Sequence, residues 1–573
     1  MNRILSQLEA AKHWREPDGG PRAEKLLKSL NLKTFRPSES LIRVHDALLF
    51  LSAFPQSQGV VSECERLLSG ISAEVSRLRA SGAEMDGFDD ERVSGIAGTV
   101  LSDTFTYEVA SWLADRHGNH LRACWDVDEQ ARPMAAALPQ FLPLLEDDSL
   151  VEADTPFLTW MAGAAGHRSE FGWLLEQIRQ APIPLWRKTE LYDSLRLALQ
   201  WELGDNPASR TLARRPVKEI VFHAAPLLRR NQVSLTAEFQ SSPLPIRKLT
   251  PEDGAEILDM CRDAVTVRYR ELYGTTRGDP THVFEADPGR GVQIFLWGLP
   301  PDRRLPLRAY HAGFTLKNGV PINYIEGISL FSWMEIGFNT FYAYRDGETA
   351  WIYAKVLHFL HQLSGVATFS VYPYQLGHEN EEAIQSGAFW FYRKLGFRPG
   401  RPDLLALAQK EERRIAADSS HRTSPATLRK LAAGHVFYEI GRAHDAPGLW
   451  DAFSTRNLGV RVQQAMAAKH QGNATAMREA CRDDLARALK ADTSSWNSIE
   501  REVFDNFAFA LSLVPDLRQW SSDEKECLHD IIRAKAAPDE TKYLNLLQKH
   551  SRLRDAIVPL GSSPPDRGGR SSQ

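Results

Sequence analysis

The sequence predicts a mixed α/β layer domain in the middle of the chain, flanked on both sides by all-α segments. Strand-like runs are concentrated in residues 243–402. Within that window a series of strands suited to an antiparallel meander gives way to helix, strand and helix, the alternation of a layered α/β fold. Outside it apolar residues recur at helical spacing and strand signals are sparse. The chain therefore divides into a helical domain (1–235), an α/β domain (243–402), a second helical domain (403–560) and a tail (561–573) without apolar content, expected to be disordered.

In the first segment, residues 41–54 (LIRVHDALLFLSAF) carry a helical apolar pattern that stops at Pro55, and similar runs cover 64–78, 104–113, 171–178 and 191–203. The pattern changes at Ser241-Ser242-Pro243. LPIRKL (244–249) reads as a strand. Thr250-Pro251-Glu252-Asp253 then opens a helix, with a capping threonine, proline at the first helical position and acids facing the positive end of the dipole. Strands follow at 292–299, 307–316, 321–331 and 335–344, and Lys317-Asn318-Gly319 marks a tight hairpin. A helix over 348–363 ends at Gly365, a strand covers 367–374, and a helix over 381–395 ends at Gly396. A helix joining two strands implies a right-handed crossover and a locally parallel pair. Helices return at 424–438, 457–469, 474–490, 498–513, 522–534 and 538–549.

Composition narrows the function classes. A chain of 573 residues suggests about two to four domains. The apolar share of 43% and charged share of 25% are those of a soluble globular protein, and a net charge of -4 offers no nucleic-acid footprint. The basic pairs Arg229-Arg230 and Arg413-Arg414 read as solvated helix faces. Cys64, Cys124, Cys261, Cys481 and Cys527 are widely spaced, as reduced thiols would be. With no signal-peptide pattern and no membrane-length apolar run, a cytoplasmic protein without membrane contact is expected. The pairs His117/His120 and His358/His361 lack a third ligand nearby, and the acids of 85–91 miss calcium-loop spacing, so no metal is expected. There is no Walker loop, GxGxxG or GxSxG motif.

The segment 386–399 (SGAFWFYRKLGFRP) resembles the helix-to-strand passage of the GNAT superfamily of N-acetyltransferases, often A-x-x-F/L-Y-x-K-L-G-F. Ala388, Phe391, Tyr392, Lys394, Leu395, Gly396 and Phe397 fit that pattern. IRKLTPEDGAEILDM resembles the family's opening strand and helix, and YRDGETAWIYAKVL lies where the family places its pyrophosphate loop. The resemblance covers residues 243–402 and implies an acyl-CoA N-acyltransferase fold. It further implies acetyl-CoA or another acyl-CoA as co-substrate, and transfer of the acyl group to a small-molecule or peptide amine.

Independently of any family, a strand-to-helix turn presents backbone N–H groups to a pyrophosphate, Gly347 would permit close approach, and Arg345 would add a charged donor. The family loop reads Q/R-x-x-G-x-G/A. Anchoring on Arg345 places Glu348 and Ala350 at the glycine positions; anchoring on Gly347 places Tyr344 first and Thr349 last. The resemblance implies Tyr392 as general acid to the departing thiolate, against the alternative of a core tyrosine. It implies a meander glutamate as base, either Glu326 or Glu335, each also readable as a solvent-facing strand residue. Asn380 matches a family asparagine and equally a helix cap before Glu381. The rival function is a scaffold that keeps this fold without catalysis and binds a protein partner through its helical domains.

Overall fold

The computed structural model describes residues 2–35, 38–143, 145 and 155–564. Its centre is a nine-stranded mixed sheet with helices on both faces. The strands outside it form a separate antiparallel sheet near the N-terminus. In chain order that small sheet contains β1 (Val100–Thr104), β2 (Leu121–Cys124) and β3 (Ala198–Glu202), arranged β1-β3-β2. The large sheet contains β4 (Ile246–Lys248), β5 (Val283–Gly289), β6 (Val292–Trp297), β7 (Ala309–Lys317), β8 (Val320–Leu330), β9 (Trp333–Thr340), β10 (Thr368–Val371), β11 (Arg398–Pro399) and β12 (Val436–Glu439). Its order is β11-β12-β10-β9-β8-β7-β6-β5-β4.

The expected meander is present and longer than expected, because β5 adds a hairpin through Gly289, Arg290 and Gly291, all at positive φ. The hairpin at Asn318-Gly319 has φ of 49° and 78°, the left-handed pair that a two-residue β-turn requires. Thr250 caps the helix Pro251–Thr266, accepting from the Asp253 N–H at 3.1 Å. The helix Thr349–Ser364 ends at Gly365 and returns the chain to β10, which lies parallel to β9 as the crossover argument requires. The helix expected over 381–395 is broken into Glu381–Ser386 and Ala388–Arg393, because Gly387 at φ 66° caps the first and turns the chain into the second.

Both flanks depart from the all-α expectation. The run 191–203, read as helix, ends its helix at Asp193 and becomes β3. Leu195, Leu197, Leu199, Trp201 and Leu203 are all buried and alternate strictly, which is strand periodicity. The helix expected over 424–438 stops at Leu431, and its last residues become β12, inserted between β10 and β11. The sheet thus recruits a strand from beyond residue 402. The helix Ser551–Ser562 reaches into the expected tail, and residues 565–573 lie outside the described residues.

Packing ties the first helices to the sheet. Phe50 and Phe54, at the end of the helix Ser38–Ala53, share one apolar core with Phe295, Phe314, Ile336 and Tyr353. Residues 101–203 enclose a core of their own around Trp201 and Leu174. The C-terminal helices enclose a third, capped onto the sheet by Trp333 stacked on Trp450 at 5.4 Å. Among the described residues no helix is long and apolar enough to cross a membrane.

Candidate functional site

Strands β9 and β10 pair only from Thr368↔Trp333 to Ser370↔Glu335. Beyond Glu335, β9 continues to Thr340 against β8 alone, while β10 ends at Val371 and turns into the short helix Pro373–Leu376. The two parallel strands therefore part at their carboxyl ends, the edge where α/β sheets place ligands.

Gln375, from the short helix that follows β10, lies against β9 at Gly337. A Cβ on Gly337 would lie 2.7 Å from its Nε2, so the glycine makes room for the amide. Tyr392 reaches the same amide. Its ring packs against Tyr353 (5.7 Å) and Phe397 (5.7 Å), and its hydroxyl donates to Gln375 Oε1 at 3.4 Å. Tyr392 is buried, which holds its phenol above the ordinary range and keeps it protonated. The aromatic packing expected of a core tyrosine and a hydroxyl directed at the strand gap coexist in this residue.

The two candidate bases share a sheet face. Glu326 is opposite Gly337 in register, and Glu335 is opposite Ile328, with the alternation placing Glu326, Glu335 and Gly337 on one side. Tyr310 donates its hydroxyl to Glu326, whose carboxyl is held above the ordinary range by burial. Glu335 instead pairs with His435 Nε2 at 3.0 Å. Both carboxylates are half-buried, and Glu326 is the one paired in register with Gly337, against which Gln375 lies.

At the same sheet edge, the turn after β9 opens on a cleft of about 670 Å³. It is lined by Arg345, Asp346, Gly347, Thr349 and Ala350, by Lys12, His13, Arg15 and Glu16 from the segment that follows the first helix, by Pro226–Arg230, and by Phe391. The first bond in the helix Thr349–Ser364 is Ile352 N–H to the Glu348 carbonyl, so the N–H groups of Thr349, Ala350 and Trp351 have no acceptor among the described residues. Arg345 reaches the cleft but is held by Glu382 and lies over the Tyr342 ring at 3.8 Å. Thr349 donates to the Arg345 carbonyl at 3.4 Å.

Three sequence-derived cofactor contacts do not reach this cleft. Tyr344 is buried beneath the turn, where burial pushes its phenol up to about 12. Glu348, fully buried, turns inward to Arg290, Lys317 and the Leu228 N–H. A carboxylate there meets cations rather than a phosphate because the β5–β6 hairpin and β7 bring Arg290 and Lys317 under the helix. Asn380 is a cap, accepting from Ala383 N–H at 3.2 Å and donating to the Tyr374 carbonyl at 3.1 Å. Gly347 is present for a second reason: a Cβ there would lie 2.5 Å from the Phe54 ring. Valine at 347 would therefore strain the fold before touching a ligand.

Residues outside the sequence-derived set complete the site. Arg229 and Arg230 line the cleft and form no ion pair among the described residues. Arg15 is 7% exposed and donates to the carbonyls of Phe54, His223 and Lys12, while its Nε has no partner. The dibasic pair was visible in the sequence, but only folding brings it to the same cleft as the turn. Gln375 carried no signal at all, since its role depends on Gly337 in another strand. Arginines and first-turn residues of a helix that line one cleft form a donor set suited to a polyanion such as a pyrophosphate. No family model, curated protein or solved structure matches this chain.

Proposed function

We propose that this protein is an acyl-CoA-dependent N-acyltransferase, transferring an acyl group to an amine by direct attack in a ternary complex. The observation that carries the reading is the parted β9–β10 pair, which opens on the same sheet edge as the first turn of the helix Thr349–Ser364. The strand order, with a meander, a parallel β10 and two further strands beyond it, supports the acyl-CoA N-acyltransferase version of this fold. Acetyl-CoA or another acyl-CoA would supply a thioester whose C–S bond is exchanged for the C–N bond of an amide.

The chain's own groups have distinct parts in that exchange. Backbone N–H groups at the turn hold the pyrophosphate, and the unpaired edge of β9 offers a donor to the thioester carbonyl. Glu326 receives the proton that the amine loses, and Tyr392 delivers one to the departing sulfur. Holding the amine beside the thioester in the gap contributes through orientation. Titration calorimetry with acetyl-CoA tests the reading. Saturable binding is expected, whereas no heat at millimolar concentration would leave a scaffold acting through its helical segments.

Glu326→Gln supplies a second test. Burial places the ionisation of Glu326 above that of an ordinary glutamate, so wild-type kcat/KM should rise with pH across that interval. The glutamine variant should lose that limb and about 10²–10⁴-fold in rate. Stability should move the other way. A carboxyl whose folded pKa is raised loses stability as pH climbs from its unfolded value through the folded one. At neutral pH the neutral glutamine should therefore melt no lower than wild type. A pH profile identical in both proteins would remove Glu326 from the chemistry.

A further inference from the structure

The C-terminal helices carry a cavity that the proposed acyl transfer does not use. It measures about 470 Å³ and is lined by residues of the helices Thr455–His470, Ala474–Leu489 and Ser498–Leu511 and of the turn that follows the last of them. Most of the lining is apolar, with Met477, Cys481, Leu485, Leu511, Val514 and Leu517 all buried within the C-terminal core. The helix Thr455–His470 contributes Ala465, Lys469 and His470, and it is thinly anchored. Of its 16 residues only Leu458 is buried, and Ala465 is half-buried. The helix Ala474–Leu489, of the same length, buries Met477, Cys481, Leu485 and Ala488. Protein interiors pack as densely as organic crystals, so apolar side chains around an open space of this size forgo contacts that a ligand would supply.

The charges in the lining select the ligand. Lys469 and His470 end the helix Thr455–His470, and their side chains have no hydrogen-bond or ion-pair partner among the described residues. Asp484, the acid that lines the cavity, is already paired with Arg487 and, at 3.3 Å, with Arg518. Burial pushes the Cys481 thiol up and the Lys469 ammonium pulls against it, which places that charge within reach of the apolar lining. Apolar side chains with unpaired cations beside them suit a ligand that has an apolar chain and an anionic head. A helix of a partner protein is too large, since a helix about 10 Å across takes roughly 400 Å³ per turn and the cavity would admit barely one. We infer that this cavity binds a single-chain anionic amphiphile of the fatty-acid kind, with its chain among Met477, Leu485 and Leu511 and its carboxylate at Lys469 and His470. The cavity shares no lining residue with the cleft at the Gly347 turn, and the inference does not rest on the acyltransferase reading.

The test is calorimetry of the full chain with decanoate below its micellar concentration, with decanol and with acetate, beside melting curves. Wild type should bind decanoate saturably and about 10- to 100-fold more tightly than decanol, the range that charge-assisted hydrogen bonds supply. Acetate, which has the head without the chain, should not bind. Decanoate should raise the melting temperature once its concentration exceeds Kd. In the double variant Lys469→Gln/His470→Gln the preference over decanol should vanish, with the decanol affinity and the melting temperature of the free protein unchanged. Ala465→Trp, which fills the cavity from the thinly anchored helix, should exclude both compounds. Failure of wild type to bind decanoate, or equal affinities for decanoate and decanol, would overturn the inference. So would a preference that survives in the double variant, or decanol binding that survives in Ala465→Trp. None of these outcomes bears on acyl transfer, which the acetyl-CoA titration tests separately.

Discussion

Tyr392→Phe is expected to reduce acyl transfer by about 10²–10⁴-fold, the loss typical of removing a positioned proton donor. The substitution deletes a single oxygen. The ring keeps its contacts with Tyr353, Phe391 and Phe397, so packing should be unaltered. What disappears is one hydrogen bond to Gln375, and the stability cost should be about 1 kcal/mol or less. Burial raises the phenol pKa, so the hydroxyl stays protonated throughout the neutral range and no titration of Tyr392 should appear in the rate profile there. Acetyl-CoA affinity should be unchanged, because the groups assigned to phosphate binding lie on the turn and linker. The measurement is kcat with saturating acetyl-CoA and a panel of amines, beside calorimetry and a melting curve. A variant with full turnover would show that the hydroxyl serves only to anchor Gln375. Gln375→Ala distinguishes that case, since it leaves the phenol in place and frees it towards the gap.

The central sheet was readable from sequence because its determinants are local. Asn318-Gly319 sets a turn, Thr250-Pro251 starts a helix, and Gly365 ends one. The errors came where two periodicities compete. In 191–203 the leucines satisfy a helical count in part, yet the strict alternation from Leu195 to Leu203 was also present and decided the outcome. β12 was hidden differently. Val436-Phe437-Tyr438 is a sound strand sequence, but its partner β10 lies more than sixty residues earlier, and nothing local says so. Pairing of such sequence separation is set by the whole sheet.

The candidate site divides along the same line. Tyr392 and Gly347 were legible because a short motif carries them, and the structure gives each a second duty, in packing against Tyr353 and Phe54 respectively. Glu348 was misplaced because its partners, Arg290 in the β5–β6 hairpin and Lys317 at the end of β7, precede it by many residues. Arg229 and Arg230 were read as a solvated pair, and Arg229 is exposed and Arg230 half-buried; that they share a cleft with the turn cannot be seen in the order of residues.

Glu348→Ala is the substitution expected to cost most stability, about 3–5 kcal/mol, because it leaves the buried Lys317 and the partly exposed Arg290 without their counter-charge. Glu348 is fully buried, with Arg290 on one side and the Lys317 Nζ at 3.6 Å. Lys317 is itself fully buried, 4.8 Å over the Phe54 ring, and burial lowers its ammonium to about 7 despite the opposing pull of Glu348. Removing the carboxylate removes that pull, so the folded-state value must fall further while the unfolded value stays ordinary. The folded variant then refuses a proton at pH values where folded wild type still accepts one. The extra instability from Lys317 should therefore be absent well above pH 7 and grow as the pH falls below it. What remains at pH 9 is the loss to Arg290 and to the Leu228 N–H. Denaturant melts of wild type and variant at pH 6 and pH 9 measure the two parts. Glu348→Gln, which retains hydrogen bonds to Leu228 and Arg290 but no charge, should fall between them. A deficit that is the same at both pH values would show that Lys317 does not feel Glu348. A deficit below about 1 kcal/mol would mean that the carboxylate is no more than a surface partner of Arg290.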